Sequence, residues 1–230
     1  MATLLITGTD TDCGKTVLTA ALIAYWQRYC WAYQLGVCKP VQSGTGDREF
    51  YRRMFDLDQT PEQLNPLWYK TPIAPPLAAA LEGTTVDLGK AWQVLSQLEA
   101  ERDWVLVEGA GGLGSPVTDE LTVADIANQW RLPTVLVVPV KLGSITTAVA
   151  NVALAQQKQV ELLGIVLNCT QPCTQGQLEN WAPVEMIESL THVPILGTLP
   201  HLKQIKDEAM LVEAAAQLDL ERLMPKAFWA

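Results

Sequence analysis

The sequence predicts an α/β protein built on one doubly wound, mostly parallel β-sheet. Three observations carry that expectation. Short apolar, β-branched runs recur along the chain. Most are apolar on both faces, as strands covered by helices on both sides must be. Segments of helical periodicity separate them, and that alternation marks crossover connections between parallel strands.

The elements follow in order. Thr3–Thr7 reads as the first strand and Lys15–Tyr29 as the first helix. Leu35–Lys39 is the next strand, followed by a helix over Asp47–Phe55. Thr71–Pro76 holds Pro72, Pro75 and Pro76 and reads as a rigid surface loop. Helix Leu88–Glu101 leads to strand Trp104–Val107, and helix Thr122–Trp130 to strand Thr134–Val140. Helix Ile145–Gln157 then precedes strand Leu163–Leu167, and helix Pro183–Leu190 precedes strand Pro194–Thr198. A last helix spans Ile205–Leu218. No linker, repeat or low-complexity tract interrupts the pattern, so residues 1–230 are expected to form a single domain.

Composition narrows the function classes. With 49% hydrophobic and 18% charged residues, the chain is neither disordered, collagenous nor a coiled coil. Its length suffices to bury ~70% of the unfolded surface. No apolar run approaches the ~18–20 residues of a membrane helix. Leu4–Ile6 stops at Thr7-Gly8 with no basic region before it, so no signal peptide is expected. Lys+Arg 16 against Asp+Glu 25 leaves a net charge of −9, which disfavours nucleic acid and anionic membranes as partners. The cysteines Cys13, Cys30, Cys38, Cys169 and Cys173 are scattered and odd in number, which points to a cytoplasmic chain without a disulfide framework. Cys169-x-x-x-Cys173 lacks a second ligand pair, and His192 and His201 lack ligand spacing, so zinc is not expected.

In open α/β sheets, ligands sit at the carboxyl ends of the strands. The loop Gly8-Thr9-Asp10-Thr11-Asp12-Cys13-Gly14-Lys15-Thr16 lies at such an end, between the first strand and the first helix. Gly14 lets the backbone approach a phosphate, and the N–H groups opening the helix point at that anion. Lys15 supplies a point charge to the β- and γ-phosphates, and the Thr16 hydroxyl can ligate Mg²⁺. The usual G-x-x-x-x-G-K-[ST] pattern is displaced here, since Thr9 holds its first glycine position and Gly8 sits one residue earlier. The strand-then-helix context restores the assignment to a P-loop that binds a nucleotide. An ordinary strand–helix turn would leave unexplained a lysine opposing the helix dipole.

Other strand ends carry chemistry too. Lys39 closes the second strand before Pro40 and faces the phosphate loop, where an ammonium stabilises charge in phosphoryl transfer. Glu108 follows Val105-Leu106-Val107 and precedes Gly109-Ala110-Gly111-Gly112, a setting suited to a hard cation. Asn168 ends the Leu163–Leu167 strand; its carboxamide matches adenine N6 and N7, or simply makes a turn. Asp47 is the first acid after the Lys39–Gly46 loop and is either a metal or nucleotide contact or a helix N-cap.

Several blocks together resemble one family. They are Gly8–Thr16, Lys39-Pro40-Val41-Gln42-Ser43-Gly44, Trp104–Leu113, Val140-Lys141-Leu142-Gly143-Ser144-Ile145 and Ile195-Leu196-Gly197-Thr198-Leu199-Pro200. They occur in the order found in dethiobiotin synthetases and cover nearly the whole chain. The resemblance implies a P-loop NTPase-like fold, usually a homodimer. It also implies an ATP- and Mg²⁺-dependent ligase that closes a cyclic urea on 7,8-diaminopelargonic acid with CO₂ in biotin synthesis. It makes Lys39 and Lys15 catalytic, and Thr16, Asp47 and Glu108 the Mg²⁺ site. It places Ser43, Thr11 and Ser144 at the substrate, the last in a turn offering backbone N–H groups. It places Asp12, Cys13, Gly14, Val17, Gly109, Ala110 and Gly111 around the nucleotide, with Asn168, Cys169, Pro200, His201, Leu202 and Asp207 about its base and ribose. Trp181 is the candidate for the family's partner-subunit aromatic.

A second reading is an ATPase switch of the chromosome-partitioning or septum-placement type. Such proteins carry a signature lysine five positions before the invariant one, where this chain has Asp10. They also use basic surfaces or amphipathic tails, whereas this chain is acidic and its Arg222–Ala230 tail is short and broken by Pro225. Related amide-forming ligases carry long glutaminase domains for which this chain has no room.

Overall fold

The computed structural model describes residues 2–30 and 32–224, so Pro225–Ala230 of the tail lie outside the described residues. The first half runs β1 (Ala2–Gly8), α1 (Lys15–Tyr29), β2 (Leu35–Cys38), β3 (Val41–Ser43), α2 (Asp47–Met54), α3 (Pro61–Leu64), β4 (Leu67–Tyr69), α4 (Pro75–Leu81) and α5 (Leu88–Glu101). It continues through β5 (Trp104–Glu108), α6 (Val123–Gln129), β6 (Thr134–Pro139), α7 (Ser144–Gln157) and β7 (Leu162–Asn168). The remaining elements are α8 (Gln175–Trp181), α9 (Val184–Thr191), β8 (Ile195–Leu199), α10 (Glu208–Ala215) and α11 (Leu220–Leu223).

The main sheet is six-stranded and parallel, in the order β2-β5-β1-β6-β7-β8. Side chains alternate across it and both faces are apolar. Leu4, Ile6, Trp104, Leu106, Val135 and Val137 pack on one side with α1 and α10. Leu5, Val105 and Val107 face the other side with α5 and α6, and Leu136 and Val138 with α7. This two-sided burial is what the continuous apolar runs require. Among the described residues, no helix is long and apolar enough to cross a membrane.

All six expected strands appear in the sheet, within a residue or two at their ends. Lys39 falls just beyond β2, which stops at Cys38. The proline loop is corrected: Pro75 and Pro76 open α4, where their missing N–H groups cost nothing and their fixed φ suits the first turn. The last long helix is shorter than expected. Asp207 Oδ1 caps α10 by accepting from the N–H groups of Ala209 and Met210, so the helix starts at Glu208 rather than Ile205. A second, two-stranded parallel sheet of β3 and β4 was not evident in the sequence. It holds the chain after Lys39 beside the main sheet.

The start of α6 yields one pH prediction. Thr122 and Asp125 cap each other, and Lys158 Nζ reaches Asp125 Oδ1 at 2.6 Å. The Lys158 contact first, then the Thr122 bonds, lower the Asp125 pKa from 3.8 to about 2. A depressed folded-state value means stabilisation that is full above about pH 4 and fades as pH falls toward about 2. The urea midpoints of the native chain and Asp125→Asn should therefore differ near neutrality and converge in acid. A gap independent of pH would show that the Asp125 charge stabilises nothing.

Candidate functional site

The carboxyl ends of β1, β2, β5, β7 and β8 meet along one edge of the sheet, and the expected site residues gather there. The loop after β1 is strained into shape at Asp12 (φ 58°) and Gly14 (φ 104°), both in the left-handed region. A Cβ on Gly14 would lie 1.8 Å from Asn168 Nδ2, so only glycine fits beneath the loop. From β7, Asn168 Nδ2 donates to the Cys13 carbonyl at 2.9 Å. From β5, the glycine turn closes over the other side: a Cβ on Gly112 would come within 2.8 Å of the Thr9 backbone. Cys13 is buried, Lys15 is 6% exposed, and Lys15 Nζ donates to the Asp10 carbonyl at 2.9 Å. The loop is therefore a preformed backbone cradle clamped between two neighbouring strand ends.

Asn168 is 2% exposed and ties β7 to that cradle. Asn168→Ala leaves the buried Cys13 carbonyl without this donor, which costs about 1–3 kcal/mol. The thermal midpoint should fall and affinity for an ATP analogue should weaken with it. An unchanged midpoint would show that the amide does not hold the loop.

The charged centre stands next to the cradle. Lys39 Nζ sits 2.6 Å from Asp47 Oδ2 and 2.8 Å from Glu108 Oε1. Thr16 Oγ1 lies 3.0 Å from Asp47 Oδ1 and 3.3 Å from Glu108 Oε1. Glu108 is fully buried and Lys39 is 4% exposed. Burial works against the Lys39 ammonium, but Glu108 and Asp47 outweigh it and raise its pKa above the ordinary lysine value. Burial likewise pushes Asp47 up, while the Lys39 charge and hydrogen bond more than reverse it, leaving Asp47 below its ordinary value. Asp47 is the first residue of α2 and not its cap; the preceding Gly46 holds that position, its N–H donating to Glu49 Oε2. Thr16, Asp47 and Glu108 thus converge as sequence reasoning expected.

Two hydroxyls that sequence reasoning missed complete this centre. Tyr51 OH donates to Glu108 Oε2, and Thr19 Oγ1 lies 2.9 Å from the same oxygen. Burial first, then Glu108 and Asp47, push the Tyr51 phenol well above its ordinary pKa, so it stays a donor. The available signal was helical spacing: Tyr51 follows Asp47, and Thr19 follows Lys15, by one turn on the same face.

A cleft of about 430 Å³ adjoins the centre. Thr11, Lys39, Ser43 and Asp47 line it together with Ile73, Pro72 and Ser115. Ser43 Oγ is buried there with no hydrogen-bond partner among the described residues. Ala110 and Gly111, expected around the nucleotide, line this cleft together with Thr11 of the phosphate loop, and Gly111 (φ 68°) turns the chain there. Gly109 stays buried against β1, its N–H donating to the Ile6 carbonyl.

Ser144 needs correction. It is fully buried, its Oγ lies 2.7 Å from the Pro139 carbonyl and accepts the Lys141 N–H, and its own N–H donates to Lys141 O. The residue locks its own turn and presents nothing to a ligand. Gly143 caps α7 without a side-chain bond, and the first helical hydrogen bond comes from Thr147, so the N–H groups of Ile145 and Thr146 have no partner within the helix.

On the far side, Cys169, Pro200 and His201 share a second cleft of about 420 Å³ with Cys173 and Lys203. Burial foremost pushes the Cys169 thiol up to about 12, so it is no thiolate ligand. Leu202 and Val17 are partly buried and pack against the apolar core. Asp207 is exposed, with Oδ1 engaged as the α10 cap. Among the described residues, no group of three or more His, Cys, Asp or Glu side chains could hold a metal alone. Two carboxylates and the Thr16 hydroxyl nevertheless suit a small hard dication that shares its shell with phosphate oxygens, the usual habit of Mg²⁺.

The comparisons with known proteins fit this geometry. A family model described as an AAA domain matches residues 2–209. The ATP-dependent dethiobiotin synthetase BioD of Gloeothece citriformis is 57% identical over 98% of this chain and 100% of the relative. That of Crocosphaera subtropica is 52% identical over 97% of this chain and 100% of the relative. Among solved structures, a ParA family ATPase from Chlorobium tepidum covers 97% of this chain and 98% of its own, with a TM-score of 0.61 at 10% identity. MinD of Aquifex aeolicus covers 96% and 95%, with a TM-score of 0.55 at 15% identity. At those identities the likeness is one of fold alone.

Proposed function

The chain belongs to the family of ATP-dependent dethiobiotin synthetases, and from that premise we propose that it closes the cyclic urea of dethiobiotin on 7,8-diaminopelargonic acid, using CO₂ and ATP. The observation that carries the reading is the placement of Lys39. It lines the 430 Å³ cleft and, through Asp47 and Glu108, adjoins the phosphate-loop residue Thr16. An ammonium at that junction faces both a transferring phosphoryl group and its acceptor.

In this proposal one amine of the diamine attacks CO₂ and loses a proton, forming a carbamate. A carbamate oxygen then attacks the γ-phosphorus, the bond to ADP breaks, and a carbamic–phosphoric anhydride forms. The second amine attacks its carbonyl carbon, phosphate leaves, and a proton is released as the ring closes. Lys15 and the loop N–H groups bind the phosphates, and Lys39 offsets negative charge on the oxygens in transit. Thr16, Asp47 and Glu108 would hold Mg²⁺, which supplies charge neutralisation at the phosphates. Ser43 Oγ and Thr11 meet the polar groups of the diamine, and Ile73 and Pro72 flank its alkyl chain. The N–H groups of Ile145 and Thr146 replace Ser144 as an anion site for a substrate carboxylate. Asn168 reads the adenine edge with the rest of its amide, beside the wall of Cys169, Pro200 and His201.

A cytoplasmic, single-domain homodimer belongs to the same reading. Leu142, 83% exposed beside the α7 start, is a side chain that a second subunit would cover. The test is direct. Incubation with the diamine, bicarbonate, ATP and Mg²⁺ should give a product of dethiobiotin's mass, with one phosphate per product. Absence of that product with folded protein and intact ATP would end the proposal.

A further inference from the structure

Glu108 is held asymmetrically, and the asymmetry has one principal source. Its Oε1 faces the site, toward Lys39 Nζ at 2.8 Å and Thr16 Oγ1 at 3.3 Å. Its Oε2 faces inward, toward Tyr51 and Thr19. The two inner hydroxyls are not equivalent. Thr19 Oγ1 lies 2.9 Å from Glu108 Oε2 and equally 2.9 Å from the Lys15 carbonyl, and it has one proton to serve both acceptors. Tyr51 OH also meets the Thr19 hydroxyl, but its own proton goes to Glu108 Oε2, from a ring packed in the core with no exposed surface. We propose that Tyr51 is a positioning residue, whose hydroxyl pins Glu108 Oε2 so that Oε1 is the oxygen offered to the phosphate-side cation and to Lys39.

The physical reason is rotational. A carboxylate at a strand end can turn about its last bond, and in doing so exchange or displace its two oxygens. A donor locked behind one oxygen removes that freedom, as outer-shell partners do for metal ligands generally. Tyr51 also stands one helical turn after Asp47 on α2, so one helix sets the position of one carboxylate and the orientation of the other. The inference rests on the Mg²⁺ reading of Thr16, Asp47 and Glu108 above.

The experiment measures binding of a non-hydrolysable ATP analogue by calorimetry across a Mg²⁺ series, for the full chain and for Tyr51→Phe. The variant keeps the ring and removes the hydroxyl. Half-saturating Mg²⁺ should rise by about tenfold or more, the scale seen for outer-shell losses, while analogue affinity without Mg²⁺ stays unchanged. Half-saturating Mg²⁺ within twofold of the native chain would overturn the inference. Thr19→Val keeps the question decisive should Tyr51→Phe not fold. With Tyr51 intact, its half-saturating Mg²⁺ should stay within about threefold of native, and a tenfold rise would move the anchor to Thr19 and overturn the assignment. Native binding that ignores Mg²⁺ altogether would remove the metal reading and this inference together. A Mg²⁺-dependent native chain with an unaffected Tyr51→Phe would remove only the inference.

Discussion

Lys39→Ala should lower turnover by at least ~10²-fold, the loss that follows removal of one preorganised charge-stabilising donor. It should also destabilise the chain, although a lysine at a strand end looks dispensable from sequence. Lys39 is 4% exposed and holds two ion pairs at 2.6 and 2.8 Å. Its removal leaves Glu108 fully buried and Asp47 beside it without their ammonium, and breaking a buried pair in this way costs about 3–5 kcal/mol. The pH window follows from the shifts. The raised Lys39 value gives stability that is full below about pH 10.5 and lost as pH rises through the folded value. The lowered Asp47 value gives stability that is full above about pH 4 and lost in acid. Both contributions are therefore complete at neutral pH, where the urea midpoint should drop most. Mg²⁺ with an ATP analogue should restore part of that loss, because a ligand that binds only the folded state stabilises it. Normal turnover in a folded Lys39→Ala chain would remove Lys39 from the reaction.

The contrast between Lys39 read from sequence and Lys39 in the structure shows what was legible and why. The six strands of the main sheet were readable because both its faces are buried, so each appears as an apolar run such as Thr134–Pro139. The three-residue strands β3 and β4 are too short to show a period. Helix α3 carried a readable signal in Thr60, Pro61 and Gln63, a capping box with proline in the first turn. Site residues at strand ends were legible because the fold delivers every strand end to one edge. Hence Thr16, Lys39 and Glu108, far apart in the chain, were brought together by topology alone. Asp47 was readable as the first acid after the Lys39–Gly46 loop, whereas what the Tyr51 phenol one turn later meets depends on how α2 docks, which no local pattern encodes. Ser144 failed for a related reason: a serine at a helix start is a ligand contact or a turn lock, and only the positions of the Pro139 and Lys141 carbonyls decide between them. The fold likeness to ParA and MinD has the same root. A doubly wound sheet with a phosphate loop is shared by proteins of different function, so the fold alone does not say which.

ATP hydrolysis by the pure chain should be slow, and the diamine with bicarbonate should accelerate it strongly, in step with cyclic urea formation. The proposed ligase stabilises a phosphoryl group usefully only when an acceptor oxygen is aligned with it. Orientation of two reactants is worth ~7–11 kcal/mol, and water in the cleft beside Lys39 and Ser43 enjoys none of that alignment. A carbamate held between Ser43, Thr11 and Lys39 would enjoy most of it. The second reading, an ATPase switch of the chromosome-partitioning or septum-placement type, makes the opposite prediction: its hydrolysis would ignore the diamine and respond to DNA or a membrane surface. Two features of the chain already lean against that outcome, Asp10 in place of an early loop lysine and the net charge of −9. The measurement is phosphate release with ATP and Mg²⁺, with and without diamine plus bicarbonate, and separately with DNA and with anionic vesicles. Release that rises only with the first pair, with one cyclic urea formed per phosphate, is the expected result. Release unmoved by diamine and bicarbonate, in folded chain that still binds ATP, would refute the ligase reading, because the charges at Lys15, Lys39 and the Thr16–Asp47–Glu108 group would then be acting on water alone.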